Sequence, residues 1–201
     1  MLETLKPFYN STLRPLSRVL LKCGIHPNVV TATGLACFIV GGWLCSQSKW
    51  HYALVAVIIG SCMDGLDGLL ARESGKQSEF GAIFDSTCDR FTEMALLGGL
   101  SWYYLLQKNS PGVILCFSAL CGSVMVSYIK ARCEGFGIVC NRGVLQRPER
   151  LILLGFGLLA GPGAMVIVLG IVTGLGFFTV FERILIAFKG EKRKNADTTN
   201  L

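Results

Sequence analysis

Residues 64–90 read DGLDGLLARESGKQSEFGAIFDSTCDR and lie where two long apolar runs meet. The run from Trp50 to Ala71 is apolar until it reaches Asp64. As a helix it rises about 33 Å at 1.5 Å per residue, enough to cross a hydrocarbon core of about 30 Å. The run from Glu79 to Leu106 is long enough to do the same. A short polar connection joins them, so the two helices are expected to be antiparallel neighbours. Asp64 and Asp67 stand three apart near the end of the first run; Asp85 and Asp89 stand four apart near the start of the second. Each pair therefore lies on one face of its helix, and the two pairs can face each other.

Outward from this stretch, the same apolar pattern recurs. Hydrophobic residues make up 52% of the 201-residue chain, and they fall in long runs rather than in a narrow helical stripe. Six spans are expected, at 28–46, 50–71, 79–106, 113–132, 148–160 and 164–188. Asn28 reads as the N-cap of the first, and Pro148 as the first-turn proline of the fifth. The expected fold is all-α, a polytopic membrane protein of six transmembrane helices with an N-terminal amphipathic interfacial helix. Its parts are an amphipathic juxtamembrane helix at 1–26, a six-helix membrane domain at 27–188 that holds the acidic cluster, and a polar cytoplasmic tail at 189–201, read as disordered. The N-terminal segment carries Lys6, Arg14, Arg18 and Lys22 among its apolar positions. That is the pattern of a helix on an anionic membrane face, not of a secretory signal.

Charge sets the expected orientation. Of the 19 Lys and Arg, all except Lys49 and Lys108 lie in the terminal segments, in the loops after spans two and four, or at the span ends beside those loops. The positive-inside rule then puts both termini and the acidic cluster on the cytoplasmic side of an integral membrane protein, which in a prokaryote would be in the cell membrane. Arg142, Lys189, Lys192, Arg193 and Lys194 are read as anchors of this kind. The net charge of +6 is accounted for in this way and does not point to nucleic acid. The nine cysteines include no CxxC pair and are read as small packing residues, not as a disulfide framework or a zinc site.

Four carboxylates at one membrane depth repel one another and are costly to bury. Arg72 and Arg90 are too few to neutralise them together with a bound anion. Oxygen ligands without clustered His or Cys suit a hard divalent cation, Mg²⁺ or Mn²⁺. Isolated His26 and His51 are not read as ligands. Gly68 and Gly81 flank the aspartates and leave room for a bulky ligand, whereas Gly65 is explained by close helix packing.

The spacing D-x2-D-G-x2-A-R-x8-G-x3-D-x3-D resembles the signature of the CDP-alcohol phosphotransferases, with Asp64, Asp67, Gly68, Ala71, Arg72, Gly81, Asp85 and Asp89 at its fixed positions. The resemblance implies that Asp64, Asp67 and Asp85 bind metal. Asp89 would act as the general base and touch a second ion, so two ions are expected. It also implies that Gly68, Arg72, Ser78 and the segment Pro27, Asn28, Val29 and Val30 contact the CDP-lipid. A phosphatidyl group would pass from CDP-diacylglycerol to an alcohol, releasing CMP, in a homodimeric enzyme embedded in membrane lipid.

The acceptor is read from the second half. Lys130, Arg132 and Arg150 are expected near the membrane surface on the catalytic side, and Arg183 lies inside the sixth span with Glu182 beside it. Several cations in one pocket suit a phosphorylated small alcohol. The run K-A-R-x-E-G, then R-P-E-R, then an arginine in the last span is similar to the phosphatidylinositol-phosphate synthases. This implies that Lys130, Arg132, Arg150 and Arg183 hold the phosphate of inositol phosphate. The loop GIVCNRGV departs from that pattern. Glycerol-3-phosphate, giving phosphatidylglycerophosphate, is the alternative acceptor. A cation transporter is the alternative from another class; it leaves the glycines, Arg72 and the basic cluster unexplained.

Overall fold

The structure, a computed structural model, describes residues 6–140 and 143–199, with side chains described for 12–140 and 143–190. Arg142 and the side chains of Lys6, Lys192, Arg193 and Lys194 lie outside the described residues. Helices α1 (Lys6–Lys22), α2 (Pro27–Ser46), α3 (Trp50–Ser74), α4 (Glu79–Leu106), α5 (Ser110–Gly135), α6 (Arg147–Ala160) and α7 (Pro162–Thr199) follow in order, with no strand among the described residues. Four of them, α2, α3, α5 and α7, are long and apolar enough to cross a membrane. Helix α4 has 28 residues but carries Glu79, Asp85, Asp89, Arg90 and Glu93. Helix α6 has 14 residues, a rise of only about 21 Å.

The chain divides into two compact units, Met1–Lys108 and Asn109–Leu201. In the first, α2 packs against both α3 and α4, and α1 packs against α3. Glycines set how closely they approach. A Cβ on Gly42 would overlap the Ala95 carbonyl of α4, and one on Gly99 would overlap the backbone of Gly42. Gly60 of α3 faces the Phe38 ring, where an added Cβ would stand 2.7 Å from it. Backbone-to-backbone approach of this kind is how helices associate where no hydrophobic effect drives them together.

At the other end of this unit, Leu13, Val30, Leu66, Leu69 and Leu70 form a buried cluster, with Leu20, Leu21, Ile25 and Met63 packed around it. Each such side chain contributes about 1.5–3 kcal/mol on burial from water. The cluster brackets Asp67 in sequence and fixes the acidic end of α3. A polar tie adds to it: Ser17 of α1, fully buried, donates to Glu73 Oε2 at 2.7 Å, and Arg14 Nε pairs with Glu73 Oε1 at 3.3 Å.

Among the apolar helices of the first unit, two boundaries differ from the sequence reading. Helix α2 begins at Pro27, and its N-cap is His26, whose Nδ1 accepts the Asn28 amide at 3.3 Å; Asn28 is therefore inside the helix. Pro27 lacks an amide proton and suits the first helical position. Helix α3 runs to Ser74, leaving only 75–78 as its connection to α4. Gly75 closes α3 with φ 64°, a left-handed conformation that glycine adopts without strain.

In the second unit α7 packs against α5 and α6. Gly122 and Gly176 bring α5 and α7 together, and Thr173 Oγ1 donates to the Leu115 carbonyl at 3.4 Å. Gly157 of α6 receives Met165 of α7. Helix α7 continues to Thr199, so the segment expected to be disordered is helical through that residue. Its run Glu-Lys-Arg-Lys at 191–194 consists of residues with high intrinsic helix propensity, which overrides polarity as a guide here.

Candidate active site

Asp64 lies on α3 and Asp85 and Asp89 on α4. Each presents a carboxylate oxygen such that the three lie within 4.8 Å of one another. The tight Gly75 turn and the N-cap of α4 produce this meeting. Ser78 Oγ accepts the Gly81 amide at 3.0 Å, which starts α4 within two turns of Asp85. All three carboxylates are partly buried. Three hard oxygen ligands from two antiparallel helices fit a divalent cation such as Mg²⁺ or Mn²⁺.

Asp67 stands one turn beyond Asp64 and is 5% exposed. Its Oδ2 accepts a hydrogen bond from Thr31 Oγ1 of α2 at 2.5 Å. It therefore lies beside the three-carboxylate cluster, with one oxygen committed to α2.

The residues expected at the CDP-lipid come together around the same helix ends. A Cβ on Gly81 would meet Ser78 Oγ at 3.0 Å and Asn28 Oδ1 at 3.6 Å, which places the start of α2 beside the start of α4. Arg72 reaches back along α3, so a Cβ on Gly68 would stand 3.6 Å from its Nη1. Pro27 and Val30 are buried, while Val29 is exposed. Asn28, Gly68, Arg72, Ser78 and Gly81 thus gather at the acidic end of the first unit.

In the second unit the four cations separate into two kinds. Arg150 is 3% and Arg183 4% exposed. Arg150 Nη1 donates to the Leu145 carbonyl at 3.3 Å, and Arg183 Nη1 to the Val126 carbonyl at 2.5 Å. The segment before α6 is fastened to this region. The Leu145 amide donates to Thr179 Oγ1 at 3.1 Å, and a Cβ on Gly143 would meet Thr179 Cγ2 and approach the Arg183 guanidinium. Lys130 and Arg132 are exposed instead. Lys130 pairs with Glu134 at 3.7 Å, and the Arg132 guanidinium lies over the Phe136 ring at 4.9 Å. Two residues apart on a helix, they leave it about 200° apart.

The profile of the CDP-alcohol phosphatidyltransferases matches residues 24–180, which include all four aspartates and Lys130, Arg132 and Arg150. The chain belongs to the CDP-alcohol phosphatidyltransferase family. It is 36% identical over 156 residues to the phosphatidylinositol phosphate synthase of Mycolicibacterium smegmatis, covering 75% of this chain and 69% of that one. It is 33% identical over 190 residues to the corresponding synthase of Corynebacterium glutamicum, covering 90% and 86%. Among solved structures it is similar to Mycobacterium tuberculosis phosphatidylinositol phosphate synthase. With CDP-DAG bound, that protein matches at a TM-score of 0.82 and 32% identity, over 88% of this chain and 93% of that one. In complex with manganese and citrate it matches at a TM-score of 0.83 and 32% identity, over 88% of each. Family membership selects a metal-dependent transferase over the cation transporter.

Three features of this phosphatidyltransferase escaped the sequence reading. Thr31 is one helical turn past Pro27, a spacing that puts them on one face. Glu93 is 4% exposed and one turn deeper than Asp89 on the Asp85–Asp89 face; the same four-residue period would have found it. Ser17 and Glu73 are far apart in sequence, and no local signal connects them.

Proposed function

We propose that the chain transfers the phosphatidyl group of CDP-diacylglycerol to inositol phosphate, giving phosphatidylinositol phosphate and CMP. The observation that carries the donor half is the convergence of the Asp64, Asp85 and Asp89 carboxylates within 4.8 Å. Divalent cations held there, with Asp67, would neutralise the donor diphosphate and stabilise the CMP leaving group. Asp89 takes the proton from the acceptor hydroxyl as its oxygen bonds to the phosphorus that carries diacylglycerol. The bond from that phosphorus to the CMP oxygen breaks. Arg72 and Ser78, with Pro27, Asn28, Val29, Val30 and Gly68, orient the CDP moiety, so that positioning and charge stabilisation supply most of the rate.

Lys130, Arg132, Arg150 and Arg183 bind the acceptor phosphate in this reading. The relatives named as phosphatidylinositol phosphate synthases support it. So does the burial of two arginines, since the guanidinium suits planar phosphate contacts. Six membrane spans, including charged α4 and short α6, belong to the same reading, with both termini and the aspartates cytoplasmic and two copies forming a homodimer. Helix α1 lies in the membrane interface: Leu16 and Val19 remain exposed beside Arg14 and Arg18, while Leu13 faces the protein core. The parts are then an interfacial helix at 1–26, a catalytic membrane domain at 27–188 and a cytoplasmic tail at 189–201.

A product assay decides the acceptor. Purified enzyme is given labelled CDP-diacylglycerol and, separately, inositol phosphate, glycerol-3-phosphate, serine or free inositol, with Mn²⁺ or Mg²⁺. The expected product forms with inositol phosphate, and chelation of the metal abolishes it. Product with glycerol-3-phosphate alone would make the enzyme a phosphatidylglycerophosphate synthase. Product with serine or free inositol alone would remove the acceptor-phosphate role from the four cations.

A further inference from the structure

Thr31 sits on α2, 7% exposed, and its hydroxyl faces two acceptors. Asp67 Oδ2 is at 2.5 Å, and the Pro27 carbonyl of its own helix is at 3.3 Å. A hydroxyl has one proton. The carboxylate oxygen is the nearer of the two by 0.8 Å, so the proton goes to Asp67. The bond to the preceding turn is the ordinary resting place of a helical threonine, and here the carboxylate outcompetes it. The bond crosses from α2 to α3, joining the turn that begins at Pro27 to the acidic end of α3.

We infer that Thr31 is a positioning residue for the metal centre: by holding Asp67 Oδ2 against α2, it fixes the rotamer of Asp67 and leaves Oδ1 as the oxygen offered to a cation. Asp64, Asp85 and Asp89 each present an oxygen within 4.8 Å of the others. Asp67 is almost fully buried and has one oxygen committed to Thr31. Outer hydrogen bonds of this kind orient metal ligands, and losing one commonly costs about ten- to a hundredfold in metal affinity or activity. This role requires a metal at the aspartates and is independent of the acceptor alcohol.

The test measures Mn²⁺ binding to the full-length protein in detergent by electron paramagnetic resonance of free Mn²⁺, with no substrate present. Thr31→Val removes the hydroxyl at nearly constant volume, and Thr31→Ser keeps it. Mn²⁺ affinity is expected to fall about tenfold or more in Thr31→Val and to stay within about threefold of wild type in Thr31→Ser. Turnover follows the same order, and the KM for CDP-diacylglycerol at saturating Mn²⁺ stays unchanged. In an Asp67→Asn background the Val substitution adds no further loss, because its effect runs through Asp67. Thr31→Ala removes the same hydroxyl and reads the same contrast where Thr31→Val does not fold. Wild-type Mn²⁺ affinity in both Thr31→Val and Thr31→Ala overturns the role, as does a loss in Thr31→Ser equal to that in Thr31→Val. Wild-type protein that binds no Mn²⁺ at all would remove the metal assignment itself, a failure distinct from these.

Discussion

Ser17 of α1 and Glu73 of α3 are joined by a 2.7 Å hydrogen bond, 56 residues apart in the chain. With the Arg14–Glu73 pair and the leucine cluster around Leu66, Leu69 and Leu70, it holds the N-terminal helix over the acidic end of α3. Glu73 directly follows Arg72, so the same turn of α3 meets α1 and turns an arginine back over Gly68.

Ser17→Ala removes the buried donor of this bond, while Glu73 itself is exposed and keeps its contact with water. The expected result is a lower thermal midpoint of the purified protein in detergent, since a hydrogen bond made from a buried hydroxyl is lost. Arg14→Ala removes a mostly exposed pair and is expected to shift that midpoint much less. Equal shifts in the two variants would show that burial of Ser17 does not govern the contact.

Asp89→Asn is expected to lower CMP release by at least about a hundredfold, since general-base catalysis contributes about 10²–10⁴. Binding of a cytidine nucleotide, followed by calorimetry, should persist. Turnover near the wild-type rate would exclude Asp89 as the base.

Gly99 and its neighbour Gly98 give a paired test of the α2–α4 approach. A Cβ on Gly99 would fall on the Gly42 backbone, whereas one on Gly98 meets nothing within 4 Å. Gly99→Ala must push two helices apart and is expected to cost about 3 kcal/mol or to prevent folding, at or beyond the upper end for overpacking. Gly98→Ala is expected to be neutral or slightly stabilising. Thermal unfolding of both proteins makes the comparison.

Lys130→Ala should raise the KM for the phosphorylated acceptor about tenfold while changing that for CDP-diacylglycerol less than twofold, a loss of one charge-assisted contact. Its partner Glu134 is exposed, so stability should hardly change. Arg150 is less suited to alanine, because it is buried and donates to Leu145; Arg150→Lys keeps the charge and tests the planar contact instead. Steady-state kinetics with both substrates varied would separate the effects, and equal rises in the two KM values would argue against the acceptor role.

The seven helices were legible because apolar length and glycine punctuation are local signals. The bounds of α4 match the expected Glu79–Leu106. The convergence of Asp64, Asp85 and Asp89 was legible for the same reason, since helical spacing and a short connection fix it. The ends of α3 and α7 were not. Arg72, Glu73 and Ser74 at the first, and the charged run at 191–194 in the second, are polar yet helical, so polarity placed those boundaries too early. The equivalence of Asp67 with the other aspartates also followed from spacing, but its carboxylate is turned by Thr31 from a different helix. The four basic residues looked like one set in sequence. Burial divides them into a buried pair with backbone partners and an exposed pair, a distinction that composition does not carry.

The short connection at 75–78 also bears on how the protein is made. All four aspartates, Thr31 and the helix start at Pro27 belong to the compact unit that ends at Lys108. The ribosome therefore completes every assigned metal ligand before it begins α5. Every carboxylate that would hold a cation is therefore in the chain while the second half is still being completed.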